Sequence, residues 1–71
     1  MFNTYSYFFE LPKEIREEMK QELIENWEDV PPTEISRRMG FVENCRVGDL
    51  MGELDVPYWL DRANGRNPYD P

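Results

Sequence analysis

The sequence predicts one all-α, or nearly all-α, domain: a small bundle of three to four helices with an extended aromatic N-terminal segment. Its 71 residues are enough for a single domain. An apolar residue recurs at every fourth position from Leu11 to Trp27, which is the pattern of an amphipathic helix. After Val30, prolines and glycines divide the chain into segments as long as short helices. The predicted domain spans residues 1–65, with an N-terminal arm at 1–10 and a C-terminal tail at 66–71.

The N-terminal arm is rich in aromatic side chains. Five of the eight residues from Phe2 to Phe9 are aromatic, a composition typical of a β-strand. A lone strand cannot satisfy its own backbone, and no other segment has clear strand character. The arm is therefore either an extended segment that packs over the helices or a strand that adds to a partner or to a second copy. In the second case Tyr5 and Tyr7 share one face as candidate partner-binding residues, and the arm could join a homodimer.

The longest periodic segment, from Pro12 to Asp29, is predicted to form the first helix. Proline suits the first turn of a helix, and the next proline follows only at Pro31. The apolar residues form one stripe along this helix: Leu11, Ile15, Met19, Leu23 and Trp27. The stripe is expected to pack against apolar residues of the second half: Ile35, Met39, Leu50, Leu54 and Trp59.

Charges are sorted about this stripe. One flank is acidic and is extended by Glu17 and Glu28; its residues are Glu14, Glu18, Glu22, Glu25 and Asp29. The opposite flank is basic, with Lys13, Arg16 and Lys20. Like charges four residues apart destabilise an isolated helix by a few tenths of a kcal/mol, about 0.2–0.5 per pair. The acidic flank is therefore a candidate docking surface for a basic partner, and the alternative is a solvated face chosen for helix propensity.

Three shorter helices are predicted in the second half. Thr33 can cap a helix from Glu34 to Met39 that Gly40 ends, and residues 41–44 form a turn. Asn44 can cap a third helix at 45–54, whose apolar face comprises Val47, Leu50, Met51 and Leu54. Gly48 and Gly52 weaken that helix, but would let another backbone approach closely.

The fourth predicted helix runs from Pro57 to Ala63 and ends near Gly65. Trp59 and Leu60 are expected in the core, whereas Tyr58 is a candidate partner-binding residue. The tail after Gly65 shows no periodicity and is expected to be extended or disordered.

Composition argues against most chemistry. The chain has no histidine and one cysteine, Cys45, so the usual acid–base pairs are absent and no intrachain disulfide can form. Neither an enzyme, a cofactor site nor a metal site is predicted. The lone cysteine suits a reducing, cytoplasmic setting, and neither a signal peptide nor a membrane span is recognisable.

The net charge of −7 restricts the class of partner. Phosphate neutralisation supplies most of the affinity of nucleic-acid-binding proteins, so direct duplex DNA binding is not expected. Anionic membranes are disfavoured for the same reason. The charge instead favours a protein partner with a basic surface, although it also serves solubility.

Residues 32–51 contain a short motif. The order of apolar, small and glycine residues from Pro32 resembles the first helix and turn of a helix-turn-helix DNA-binding unit, carried by Thr33, Glu34, Ile35, Ser36, Met39, Gly40 and Phe41. The resemblance implies that a second helix follows and enters the major groove. Val47 and Leu50 would be its buried positions, each one residue later than in the common pattern. The acids Asp49, Glu53 and Asp55 would then face phosphates.

These observations favour a small acidic protein-binding module. In size and charge the chain is similar to inhibitors or adaptors of phages and mobile elements that dock on basic surfaces of host nucleic-acid-handling machinery, in some cases as nucleic-acid mimics. The alternative hypothesis is a divergent helix-turn-helix transcription regulator. A structural or assembly protein is the third.

Overall fold

The computed structural model describes residues 1–66 and shows a small all-α bundle, as predicted. The three α-helices are α1 (Lys13–Asn26), α2 (Pro32–Glu43) and α3 (Val56–Ala63). Short 3-10 helices lie at Phe8–Glu10 and Val47–Leu50. No strand occurs within residues 1–66, where a single antiparallel bridge joins Tyr7 to Arg46. Of the predicted tail at 66–71, all but Arg66 lies outside the described residues.

Helix α1 begins at Lys13, one residue after the predicted start at Pro12, and ends at Asn26 instead of Asp29. Trp27 leaves the helical region with φ −98° and ψ 47°. Its indole Nε1 donates to Glu53 Oε2 at 2.7 Å, and the Asn26 amide donates to the Glu53 carbonyl oxygen at 2.7 Å. Because these contacts turn the chain toward the 47–54 segment, Asp29 lies in a turn after the helix.

The apolar stripe forms the centre of the core. All five of its members are buried, from Leu11 to Trp27. Of the partners predicted for it, Leu50, Leu54 and Trp59 are buried, and two on α2, Ile35 and Met39, are half-buried against the same cluster. The predicted packing is confirmed, and the arm adds Phe8, which is fully buried.

Helix α2 is longer than predicted at both ends. It starts at Pro32 with Pro31 as its N-cap, so Thr33 lies within the first turn and makes no cap hydrogen bond. It also continues through Gly40 to Glu43, so the predicted stop at Gly40 is wrong. A glycine costs only about 1 kcal/mol in a helix interior, and continuation places Val42 in the core.

The predicted third helix at 45–54 is wrong. Only Val47–Leu50 is helical there, as a 3-10 turn, and Asn44 ends α2 instead of starting a new helix. Residues 45–48 pair with the arm through three backbone hydrogen bonds of 2.8–2.9 Å, which replace helical ones: Phe8 N to Cys45 O, Val47 N to Ser6 O, and Gly48 N to Thr4 O.

Glycine lets the arm cross this segment at close range. A Cβ on Gly48 would lie 3.0 Å from the Thr4 carbonyl oxygen, so the predicted close backbone approach is confirmed at Gly48. At Gly52 it is wrong, because nothing lies within 4 Å of the corresponding position. Met51, predicted on an apolar helix face, is 58% exposed because that helix does not form.

Helix α3 closes the bundle at nearly the predicted bounds. Trp59 is buried and Leu60 is half-buried against the core. Gly65 follows with φ +80°, the left-handed conformation that suits glycine after a helix. No helix among residues 1–66 is long and apolar enough to cross a bilayer.

Candidate interaction surface

The two charged flanks of α1 face different helices. On the basic flank, Lys20 Nζ bonds Glu43 Oε1 of α2 at 2.5 Å, and this hydrogen bond holds the pKa of the Glu43 carboxyl below its ordinary value. On the acidic flank, Glu18 Oε2 lies 3.2 Å from the Arg62 guanidinium of α3. Part of the charge sorting on α1 is therefore explained by packing within the domain.

Glu22 is also bound to α3. Its carboxylate accepts a hydrogen bond from the Trp59 indole at 3.2 Å and another from the Asp55 backbone N–H at 3.2 Å. Glu18 and Glu22 together fasten α3 to α1. Both are candidate docking residues from the sequence, but in this arrangement both carboxylates bond to α3 or to the residue that precedes it.

The remaining acids of the first helical segment point into solvent. Glu14, Glu17 and Glu25 are exposed and make no ion pair or side-chain hydrogen bond with any other of residues 1–66. Glu28 and Asp29 are also exposed and unpaired within the same range, in the turn that follows α1. We call Glu14, Glu17 and Glu25 the free acidic row.

The free acidic row borders the seam between α1 and α3. A shallow groove of about 530 Å³ is lined by Glu14, Glu17, Glu18, Gln21 and Arg62. A second of about 330 Å³ is lined by Glu18, Gln21, Glu22, Glu25 and Trp59. Because they share Glu18 and Gln21, the two depressions adjoin and follow α1 as one acidic channel.

Most of the positive charge is used inside the domain. Five of the eight lysines and arginines form ion pairs within residues 1–66: Lys20, Arg37, Arg38, Arg62 and Arg66. Arg46 stacks on the Tyr7 ring at 4.3 Å from its centroid and donates to the Tyr5 carbonyl oxygen. The three glutamates of the free acidic row form no ion pair within residues 1–66, so they contribute uncompensated negative charge on one side of α1.

The three candidate tyrosines occupy two places. Tyr58 is half-buried on α3, where its hydroxyl lies 3.5 Å from Arg62, beside the acidic channel. Tyr5 is 76% exposed on the arm, and Tyr7 stacks on Phe9 with ring centroids 5.2 Å apart. The contacts that Tyr5 and Tyr7 make within residues 1–66 involve the arm and Arg46, not α1.

Phe41 is an exposed aromatic residue that the sequence pattern did not indicate as a surface site. Phe41 was expected to start a turn, but it lies near the end of α2 and is 62% exposed, with the Arg37 guanidinium 5.8 Å from its ring centroid. The exposure of Phe41 depends on where α2 ends. The sequence predicted that α2 ends at Gly40, whereas the helix continues to Glu43.

Comparison of the chain with protein-family models, with curated proteins and with solved structures finds no match. Within residues 1–66 no group of three or more cysteine, aspartate and glutamate side chains is arranged to hold a metal ion. The geometry of the surface is therefore the basis for a functional proposal. It offers carboxylates that can accept charge-assisted hydrogen bonds from lysine and arginine.

Proposed function

We propose that this protein is a binding module of the inhibitor or adaptor type that docks on a basic protein surface through the free acidic row. The observation that carries the proposal is the contrast in pairing. Glu14, Glu17 and Glu25 form no ion pair with another of residues 1–66, whereas five of the eight lysines and arginines pair with an acid there. A surface of one sign attracts a partner of the opposite sign and speeds its association.

The spacing of the row suits an extended basic site. Glu14 and Glu25 lie eleven residues apart on one helix, which corresponds to about 16 Å along its axis. A rigid helix holds these carboxylates in a fixed arrangement, so that a basic site that binds phosphates can pair with them. This supports the proposal that the partner is a host protein that handles nucleic acid, and that the module acts as a nucleic-acid mimic. The proposed phage or mobile-element origin is based on size and charge.

A differential capture experiment tests the proposal. The wild-type chain and two charge-reversed pairs are used as baits in host lysate: Glu14→Lys with Glu25→Lys, and a control pair, Glu10→Lys with Glu28→Lys. Both pairs change the net charge equally, and Glu10 and Glu28 are exposed acids outside α1. Quantitative mass spectrometry should identify a basic nucleic-acid-handling protein that the wild type and the control capture and the α1 pair loses. Equal loss in both pairs would show that only net charge matters.

The alternative hypothesis of a divergent helix-turn-helix regulator makes a different prediction. In that case α2 supplies the first helix, and the 47–50 segment lies where a recognition helix would be expected. Salt-sensitive, submicromolar binding of duplex DNA would favour this hypothesis over protein docking.

A further inference from the structure

An apolar groove on this domain shares no lining residue with the acidic channel. It has a volume of about 240 Å³ and is formed where the end of α2 meets the 45–53 segment. Its lining is mainly apolar and is made by Trp27, Arg38, Phe41, Val42, Cys45, Asp49, Leu50 and Glu53. Phe41 stands at the edge with most of its ring in solvent. An exposed aromatic side chain beside a groove of this kind marks an interaction site more often than an isolated surface residue does.

The charges on the two rims of this groove are opposite. Arg38 lines the α2 rim, and Arg37 lies beside Phe41 on the same helix. Glu34 accepts hydrogen bonds from both arginines on the same helix. Asp49 and Glu53 line the facing rim. The carboxylate of Asp49 has no ion-pair or side-chain partner within residues 1–66.

We infer that a second copy of this chain covers the groove in a two-fold symmetric dimer. A two-fold axis makes each surface its own complement, because residue i of one copy meets residue j of the other and the reverse contact forms as well. Phe41 of one copy enters the groove of the other, and the basic α2 rim of each copy meets the Asp49 rim of its mate. The charges on the two rims nearly balance. Contact through this face therefore avoids the strong repulsion that would arise if the free acidic rows of two copies faced each other.

This arrangement is independent of the proposed docking function. Glu18 of the acidic channel contacts α3, whereas the residues around the groove come from α2 and the segment after it. A dimer formed here therefore leaves both free acidic rows exposed. It also differs from the strand-mediated dimer considered for the arm, because it does not involve Tyr5 or Tyr7.

Sedimentation equilibrium of the full chain over a concentration series tests the inference at physiological ionic strength. The average mass should rise toward twice the monomer mass, and Phe41→Ala should raise the dimer dissociation constant more than tenfold. Ile24→Ala is the matched control, since Ile24 is an exposed apolar residue of α1 that does not line the groove, and it should leave the constant unchanged. Circular dichroism verifies that each variant is folded.

Charge exchange decides whether the occupant is a second copy. Arg37→Asp and Asp49→Arg should each weaken dimerisation by placing like charges on facing rims, and the double variant should restore it. The Cys45 thiol lines the groove, so its reaction with a maleimide should slow as protein concentration rises in the wild type but not in Phe41→Ala. A chain that stays monomeric throughout the series overturns the inference. A dimer that is insensitive to Phe41→Ala and to the charge exchange does so as well.

Discussion

Alanine at Gly40 and alanine at Gly48 should change the stability of this domain in opposite directions. Gly40 lies inside α2, and no atom lies within 4 Å of the position that a Cβ would take. Alanine has the higher helix propensity and restricts the unfolded chain. Gly40→Ala should therefore raise the free energy of unfolding by about 0.5–1 kcal/mol.

Gly48 lies against the arm. A Cβ there would be 3.0 Å from the Thr4 carbonyl oxygen and 3.1 Å from the Thr4 Cβ. The arm cannot recede freely, because hydrogen bonds at Ser6 and Phe8 hold it after Thr4 and two hydrogen bonds between Phe2 and Asn64 hold it before Thr4. Overpacking of this kind costs about 1–3 kcal/mol. The cost exceeds the gain of about 0.4–1 kcal/mol from the restricted unfolded chain, so Gly48→Ala should be destabilising.

Urea unfolding followed by far-ultraviolet circular dichroism measures both changes. Gly52→Ala is the matched control, since no atom lies within 4 Å of its Cβ position, and it should be neutral or slightly stabilising. A Gly48→Ala protein as stable as the wild type would refute the close packing of the arm against residues 47–48. A destabilised Gly40→Ala protein would show that the glycine ends α2, as the sequence pattern suggested.

Three further predictions test the core, one ion pair and the DNA hypothesis. Leu23→Ala removes a fully buried side chain and should lower the free energy of unfolding by about 2–5 kcal/mol, which a melting curve detects. Lys20→Met should return the Glu43 pKa upward toward its ordinary value in a carbon-13 NMR titration. The Glu43 pKa is lower in the folded protein than in the unfolded chain. The Lys20–Glu43 pair therefore contributes stability at pH values above the unfolded-state pKa, and this contribution is lost as the pH falls through the folded-state pKa. In a fluorescence titration at physiological salt, the protein should not bind random-sequence or operator duplex DNA.

The parts of the fold that local pattern determines could be predicted from the sequence. The stripe from Leu11 to Trp27 places one face of α1 in the core, and its four-residue period has no strand interpretation. The proline at the start of α3 and the glycine after its end also mark that helix nearly to the residue. In both helices the residues that decide the structure are close in sequence.

The 45–54 segment could not be predicted in this way. Its apolar spacing fits a helix, but its backbone bonds to Thr4, Ser6 and Phe8, some forty residues earlier in the sequence. The arm has the composition of a strand, but residues 45–48, with which it pairs, do not. The sequence therefore shows no sign of this pairing. Tertiary pairing overrides local propensity at this place.

The sequence predicts that the charges of α1 are sorted into two flanks. It does not predict which of these charges are bound to neighbouring helices. Sorting into two flanks suggests a docking surface, yet Lys20, Glu18 and Glu22 are bound to neighbouring helices. Reversal of Glu18 and Glu22 would therefore also loosen α3 from α1. Only the contacts separate these residues from the free acidic row, and this is why the docking tests use Glu14 and Glu25.

The most direct measurement of the central claim is the association rate with the captured partner at varied ionic strength. The wild type should associate fast at low salt and slow as exposed charges become screened over about 8–10 Å near physiological ionic strength. Glu14→Lys with Glu25→Lys should lower the low-salt rate strongly and flatten its salt dependence, whereas Glu10→Lys with Glu28→Lys should change both little. If the Glu14 and Glu25 pair associates at the wild-type rate in low salt, the free acidic row is a solvated face and not the docking surface.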